Sequence, residues 1–211
     1  MPYTYDFPHP AVTVDAIPLM WRDGQLQVLL IRRGKPPFEG KWAFPGGFVE
    51  IDEDLEPAAA RELGEETGLD AGHLEQLGAF GQPDRDPRER VITVAFLAPL
   101  SADHAGQPAA ATDAAATAWH SVEELPRLAF DHAEIMAVAI ERLMGLLRTT
   151  PFALYFMPET FRFQDVSALH ESYLGQKLPK GRWNDWLSAG LISEAEDGRY
   201  SICVDLELNE L

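Results

Sequence analysis

The chain has 211 residues, enough for one domain or two small ones, and 46% of them are hydrophobic, so a real core can be buried. Asp and Glu outnumber Lys and Arg by 34 to 17, a formal charge of −17 that works against non-specific contact with nucleic acid or an anionic membrane. Cys203 is the single cysteine; it excludes an intramolecular disulfide and is expected as a small core residue rather than a nucleophile.

In chain order, MPYTYDFPHP lacks the basic flank and apolar run of a signal peptide. No later stretch is apolar enough to span a bilayer, so a reduced, cytoplasmic, soluble protein without a membrane partner is expected. Residues 11–21 and 25–33 alternate as two strands around a turn at Asp23-Gly24. A loop with Gly34, Pro36, Pro37 and Gly40 follows. Trp42 to Pro45 is a short apolar stretch ending at Gly46-Gly47, a pair expected to let the chain turn sharply and approach a phosphate closely. Residues 54–67 predict a helix with Asp54 as N-cap, Pro57 in the first turn and Gly68 at the left-handed stop. Residues 75–82 and 90–99 predict strands flanking the charged loop QPDRDPRE. The small, polar residues 101–117 predict a surface loop, and Ala118-Trp119-His120 a short strand. A turn at EELP precedes an amphipathic helix over 131–148, with Asp131 as its N-cap. The character then changes. Residues 164–173 and 181–188 predict short helices, and LISEAEDGRYSICVDL predicts two strands around Glu196-Asp197-Gly198. Helix, helix and hairpin is a winged-helix plan, so a boundary is placed near residue 150, dividing 1–150 from 151–211.

The stretch GFVEIDEDLEPAAARELGEETGL carries the chemistry. Glu62, Glu65 and Glu66 fall at i, i+3 and i+4 and share one helix face. Three carboxylates within one turn repel one another unless cations sit between them, and Mg²⁺ (or Mn²⁺) is the hard, oxygen-preferring choice. Singly, each glutamate fits a solvated helix face. Together, Gly47, Glu53, Arg61, Glu62, Leu63, Glu65, Glu66, Gly68 and Leu69 stand at the nine fixed positions of one motif, and the chain resembles the Nudix hydrolases there.

That resemblance implies metal ligation by Glu62, Glu65 and Glu66, with Glu65 as ligand or general base, or a base supplied by a distant loop. It implies that Arg61 pairs with Glu53, and that Gly46 and Gly47 lie against the diphosphate. The catalytic set is therefore Glu53, Arg61, Glu65 and Glu66. A Nudix domain that binds without cleaving is the weaker alternative, because binding alone does not require every glutamate.

QPDRDPRERVITVAFLA, LAFDHAEI and the terminal winged-helix plan resemble one branch of the family, that of ADP-ribose pyrophosphatases and Nudix-related transcriptional regulators. The branch implies an α+β fold: a Nudix αβα sandwich with a mixed sheet, then a small winged-helix-like domain. It also implies a homodimer and ADP-ribose as ligand, hydrolysed to AMP and ribose 5-phosphate or sensed. Another nucleoside diphosphate derivative is equally compatible with the motif. Arg85, Asp86 and Arg88 either contact substrate or form a surface charge cluster. Asp131-His132 could approach the site, but a helix cap followed by a first-turn histidine accounts for the pair more simply. Trp42, Phe44 and Phe48 could stack on adenine, with core packing expected for at least two of them.

A DNA-reading winged helix places Lys and Arg on its second helix and wing. From residue 151 onward, five basic residues (Arg162, Lys177, Lys180, Arg182, Arg199) face ten acidic ones, with Asp185 on the second helix and Glu194, Glu196 and Asp197 in the wing. Lys177, Lys180 and Arg182 make a small basic patch. DNA is thus a disfavoured partner, and the module is expected to be a protein-interaction element with Trp183 and Trp186 in its core or at a dimer contact.

Overall fold

The computed structural model describes residues 6–103 and 114–203. Strand β1 (Ala11–Arg22) and strand β2 (Gln25–Arg33) form a hairpin, with Leu19 opposite Val28 and Arg22 opposite Gln25. Asp23 and Gly24 take φ of 53° and 76°, the two positive values that a tight two-residue hairpin needs. β3 (Trp42–Ala43) adds to β2, and β4 (Gly46–Phe48) pairs with the start of β1. β5 (Glu75–Phe80) lies antiparallel on β6 (Val91–Leu100), which runs parallel to β1 along its whole length. β7 (Ala114–Ser121) pairs with β2 and completes a seven-stranded mixed sheet. β7 begins earlier than expected, inside the stretch anticipated as loop, because pairing with β2 overrides the weak strand preference of its alanines. Residues 104–113 of that expected loop lie outside the described residues.

Alternation along the strands sorts the core into two layers. Val14, Ala16, Val94, Phe96 and Ala98 pack with Ala58, Ala59 and Leu63 of helix α1 (Leu55–Thr67). Ile17, Leu19, Val28, Leu30, Ala95 and Leu97 face the other way, onto Ile135, Ala139 and Leu143 of helix α2 (His132–Thr149). The sheet is therefore the middle of an αβα sandwich, the α+β fold expected. Asp54 caps α1 by accepting from the Leu55 N–H, and Gly68, at φ 72°, closes it with its N–H on Gly64.

Beyond α2, a 3₁₀ helix (Phe152–Phe156) absent from the sequence expectation precedes α3 (Phe163–Leu174), α4 (Lys180–Ser188), β8 (Ile192–Glu194) and β9 (Tyr200–Ile202). Helix, helix and antiparallel hairpin follow in the order expected. Trp183 and Trp186 are buried; Trp183 meets Phe161, Phe163 and Tyr200 edge-on, which places both tryptophans in the core. Phe152, Leu154 and Phe156 belong to one apolar cluster with Ile17 and Trp186, so packing runs unbroken across residue 150. Cys203 is exposed, contrary to the core position expected: it follows the two-stranded hairpin, and its Sγ lies 3.8 Å from the Ser201 carbonyl. Among the described residues no helix is long and apolar enough to cross a membrane.

Candidate active site

The site is assembled where β4 passes α1. Gly46 and Gly47 do not make the sharp turn expected of them. They are extended strand, opposite Asp15 and Val14 of β1, and neither has a positive φ. At position 46 glycine is required for space, because a Cβ there would stand 2.2 Å from the Val14 carbonyl oxygen. At position 47 a Cβ would stand 2.4 Å from Glu62 Oε1 and would displace that carboxylate from its place.

Glu66 Oε2 accepts the Gly46 N–H at 3.0 Å, which ties α1 to β4. Burial pushes the Glu66 carboxyl up to about 7; the Gly46 N–H opposes this, and the Glu62 carboxylate adds to it. Burial also raises Glu62, against the hydrogen bond it accepts from Arg61. Arg61 is the hub of the motif. It grips Glu53 through two 2.8 Å bonds, donates to Glu62 Oε1 at 2.8 Å and to the Phe48 carbonyl at 3.2 Å, and lies 3.5 Å from Glu65. The Glu53 bonds raise the guanidinium pKa further and hold the Glu53 carboxyl below its ordinary range. Glu65 is exposed. Among the described residues, no three His, Cys, Asp or Glu side chains converge on one point. Glu62 and Glu66 are each held through one oxygen, so each keeps a second oxygen for a ligand.

Neighbouring elements add a polar floor in which Asp15 and Thr93, which the sequence did not single out, join Arg85, Asp131 and His132. Asp15, nearly buried in β1, accepts from Thr93 Oγ1 at 2.6 Å. Arg85 is buried and bidentate on Asp131, at 2.9 and 2.7 Å, and lies 3.7 Å from Asp15. Asp131 occupies the N-cap position of α2, but its side chain makes no cap hydrogen bond because Arg85 takes it. His132 is buried against the ring of Phe44; its Nδ1 accepts the Phe44 N–H at 3.0 Å, and its Nε2 lies 3.5 Å from Asp15. Because Nδ1 accepts, the ring proton is on Nε2, facing Asp15, and burial lowers the His132 pKa against the pull of Asp15 and Asp131. Asp131-His132 is thus more than a cap and a first-turn residue.

Asp15, Arg85, His132, Gly46, Gly47, Arg61, Glu62 and Glu66 line a cleft of about 460 Å³, together with Arg33, Lys35, Asp86, Arg88, Phe48 and Phe130, whereas Glu53 and Glu65 do not line it. Asp86 binds Arg88 through both carboxylate oxygens, and that pairing outweighs burial to hold the Asp86 carboxyl low. Of the three aromatic residues considered for stacking, Phe44 is buried, Trp42 packs edge-on to His120, and Phe48 is 44% exposed with Arg88 5.6 Å above its ring.

A profile of the NUDIX domain matches residues 9–143. The chain is 33% identical over 199 residues to the ADPR responsive transcriptional repressor NtrR of Acinetobacter baylyi, a match covering 92% of this chain and 79% of the repressor. It is 43% identical over 128 residues to the ADP-ribose pyrophosphatase of Methanocaldococcus jannaschii, covering 61% of this chain and 72% of that enzyme. Among solved structures, Shewanella oneidensis NrtR superposes with a TM-score of 0.78 at 29% identity, over 95% of this chain and 96% of that one.

Proposed function

The chain belongs to the NUDIX family, and from that premise we propose that it hydrolyses the diphosphate of a nucleoside diphosphate derivative, ADP-ribose first, with Mg²⁺ or Mn²⁺. The observation that carries this is the intact acid set, with Glu62 and Glu66 desolvated against Gly46-Gly47 and Arg61 locked onto Glu53. Two carboxylates raised by desolvation, with Glu62 raising Glu66 further and all-oxygen donor chemistry, fit a hard divalent cation. Glu62 and Glu66, which line the cleft, would hold it, and Glu65 would join them only by turning in from its exposed position. Bound there, it neutralises phosphate charge and makes a water more acidic.

The protein's own groups do the rest. Gly46 and Gly47 let β1 and the Glu62 carboxylate of α1 pack directly against β4. The Gly46 N–H orients Glu66, and Arg61 orients Glu62. Glu65, the most exposed of the three, is the candidate to take the proton of the attacking water, unless a loop supplies that base. Arg85, through Asp131, braces the cleft floor, while Asp86 fixes Arg88 beside Phe48, where a base or ribose can lie. The similarity to the Methanocaldococcus jannaschii ADP-ribose pyrophosphatase favours ADP-ribose over other diphosphates. A screen of ADP-ribose, NADH, nucleotide sugars and dinucleoside polyphosphates with Mg²⁺ should give AMP and ribose 5-phosphate from ADP-ribose. No turnover of any of them would remove the hydrolase assignment.

The full-length likeness to an ADPR responsive repressor supports a second reading, an ADP-ribose-sensing DNA-binding regulator. Surface chemistry weakens it. Arg182, one of the three expected basic-patch residues, donates to the Leu147 and Arg148 carbonyls at the end of α2. Lys177 lies 4.0 Å from Glu171, and Glu194, Glu196 and Asp197 are exposed in the hairpin. We therefore take residues 1–150 as the catalytic domain and 151–211 as a winged-helix-like interaction module of a cytoplasmic homodimer. A mobility shift with promoter DNA, reversed by ADP-ribose, would overturn this in favour of the regulator; a monomer by light scattering would remove the dimer.

A further inference from the structure

We propose that Arg33 is a phosphate-binding residue of the cleft, donating to the diphosphate of the nucleotide ligand and so governing its affinity. The inference rests on the assignment of a nucleoside diphosphate ligand. Arg33 is the last residue of β2 and lines the same cleft as Glu62, Glu66 and Arg88. Its position is built rather than incidental. Nε donates to the Pro37 carbonyl at 2.7 Å, Nη2 reaches the Lys35 carbonyl at 3.5 Å, and the guanidinium lies 4.9 Å above the Phe130 ring.

The platform beneath it is itself unusual. Phe130 has φ 51° and its edge-on neighbour Phe38, 4.8 Å away, has φ 61°. A positive φ is costly for a bulky residue and is sustained where the surrounding structure requires it. Here it brings two aromatic rings together under a cation.

Arg33 also differs from the other cleft arginines in its partners. Arg61 has Glu53, Arg85 has Asp131 and Arg88 has Asp86. Among the described residues no carboxylate lies within ion-pair distance of Arg33, whose described partners are two carbonyls and a ring. Burial and the nearby Arg88 both disfavour its charge, and Glu66, Asp86 and Asp15, all beyond ion-pair distance, only partly offset them. A half-buried, pre-oriented guanidinium without a carboxylate, beside a second arginine, is complementary to a dianionic ligand. The three paired arginines hold the protein together, and Arg33 retains hydrogen-bonding capacity, Nη1 included, for phosphate oxygens.

The test uses the full chain with ADP-ribose for kinetics and its α,β-methylene analogue for binding. Arg33→Met should raise KM for ADP-ribose and weaken the analogue about 10- to 100-fold, the range for a lost charged hydrogen bond. The value of kcat should stay within about threefold. Affinity in Arg33→Met should also vary less steeply with salt than in wild type, because one cation–phosphate contact is gone. Arg33→Gln, which can still donate to the Pro37 carbonyl, should lose affinity like Arg33→Met, and Arg33→Lys should recover part of it. Either neutral variant serves if the other misfolds. Unchanged KM and analogue affinity in an active enzyme would overturn the role of Arg33 alone. A loss that is equal at low and high salt and appears in kcat would mark a merely structural residue. A wild type that neither cleaves ADP-ribose nor binds its analogue would overturn the functional assignment as well.

Discussion

The two ends of α2 handle polar groups in opposite ways. At its N-terminal end, Asp131 and His132 join Asp15 and Arg85 in a nearly dry network beneath the cleft. At its C-terminal end, Arg182 caps the Leu147 and Arg148 carbonyls of the last turn while the interior around it is aromatic, built on Phe161, Trp183 and Trp186. Buried charge is costly to maintain, so a fold keeps it where it is paired and useful. The cleft is shaped by chemistry, and the C-terminal module by apolar burial. Substitutions at the two ends should therefore register in different measurements.

The largest expected effect is on stability, at the C-terminal end. Trp183→Ala removes a buried ring that touches four other aromatic side chains. It should cost about 3–5 kcal/mol in urea unfolding, with kcat for ADP-ribose unchanged in the protein that remains folded at low temperature. A large fall in kcat with stability intact would break the comparison by making the module part of the active site.

Glu66→Gln is the converse. The amide keeps the volume but loses the charge, and kcat should drop at least ~100-fold, or about 2.7 kcal/mol of barrier. Stability should hold or rise, because the buried carboxyl it replaces is already pushed up to about 7 by desolvation. Glu65→Gln, measured beside it, separates ligand from base. Full activity in both variants would remove these glutamates from catalysis.

What was legible in the sequence divides along the same line. Asp54, Gly68 and the acid face of α1 were readable because capping and helical spacing are local. The hairpin at Asp23-Gly24 was readable for the same reason. The floor of the cleft was not. Its bonds join residues far apart in sequence: Asp15 to Thr93 across 78 positions, Arg85 to Asp131 across 46 and Phe44 to His132 across 88. Asp131 shows why local chemistry misleads. It stands where an N-cap belongs, yet a tertiary partner, Arg85, claims its side chain. Gly46 and Gly47 mislead differently. Glycine suggests a turn, but here it answers to steric crowding by Val14 and Glu62, which no local pattern reports.

The smallest predicted effect compares two buried histidines. His132 has a donor, the Phe44 N–H, on one nitrogen and Asp15 near the other. His170, 1% exposed in α3, has no described hydrogen-bond partner for Nε2. Burial, aided by the Arg182 charge, pushes its pKa from 6.5 down to about 4. The folded state therefore binds fewer protons than the unfolded state between those two values, and stability must fall as pH drops through that window. From pH 7 to pH 5.5 this one group should cost about 1 kcal/mol. His73, His120 and His132 are lowered as well, so wild type alone does not isolate the effect. His170→Leu does, because it removes the titration and fills the site with a side chain that needs no partner. The difference in unfolding free energy between His170→Leu and wild type should grow by that amount on acidification. A difference that stays flat would mean that His170 finds a proton acceptor in solution, and that the C-terminal module holds a satisfied polar network of its own, as the cleft does.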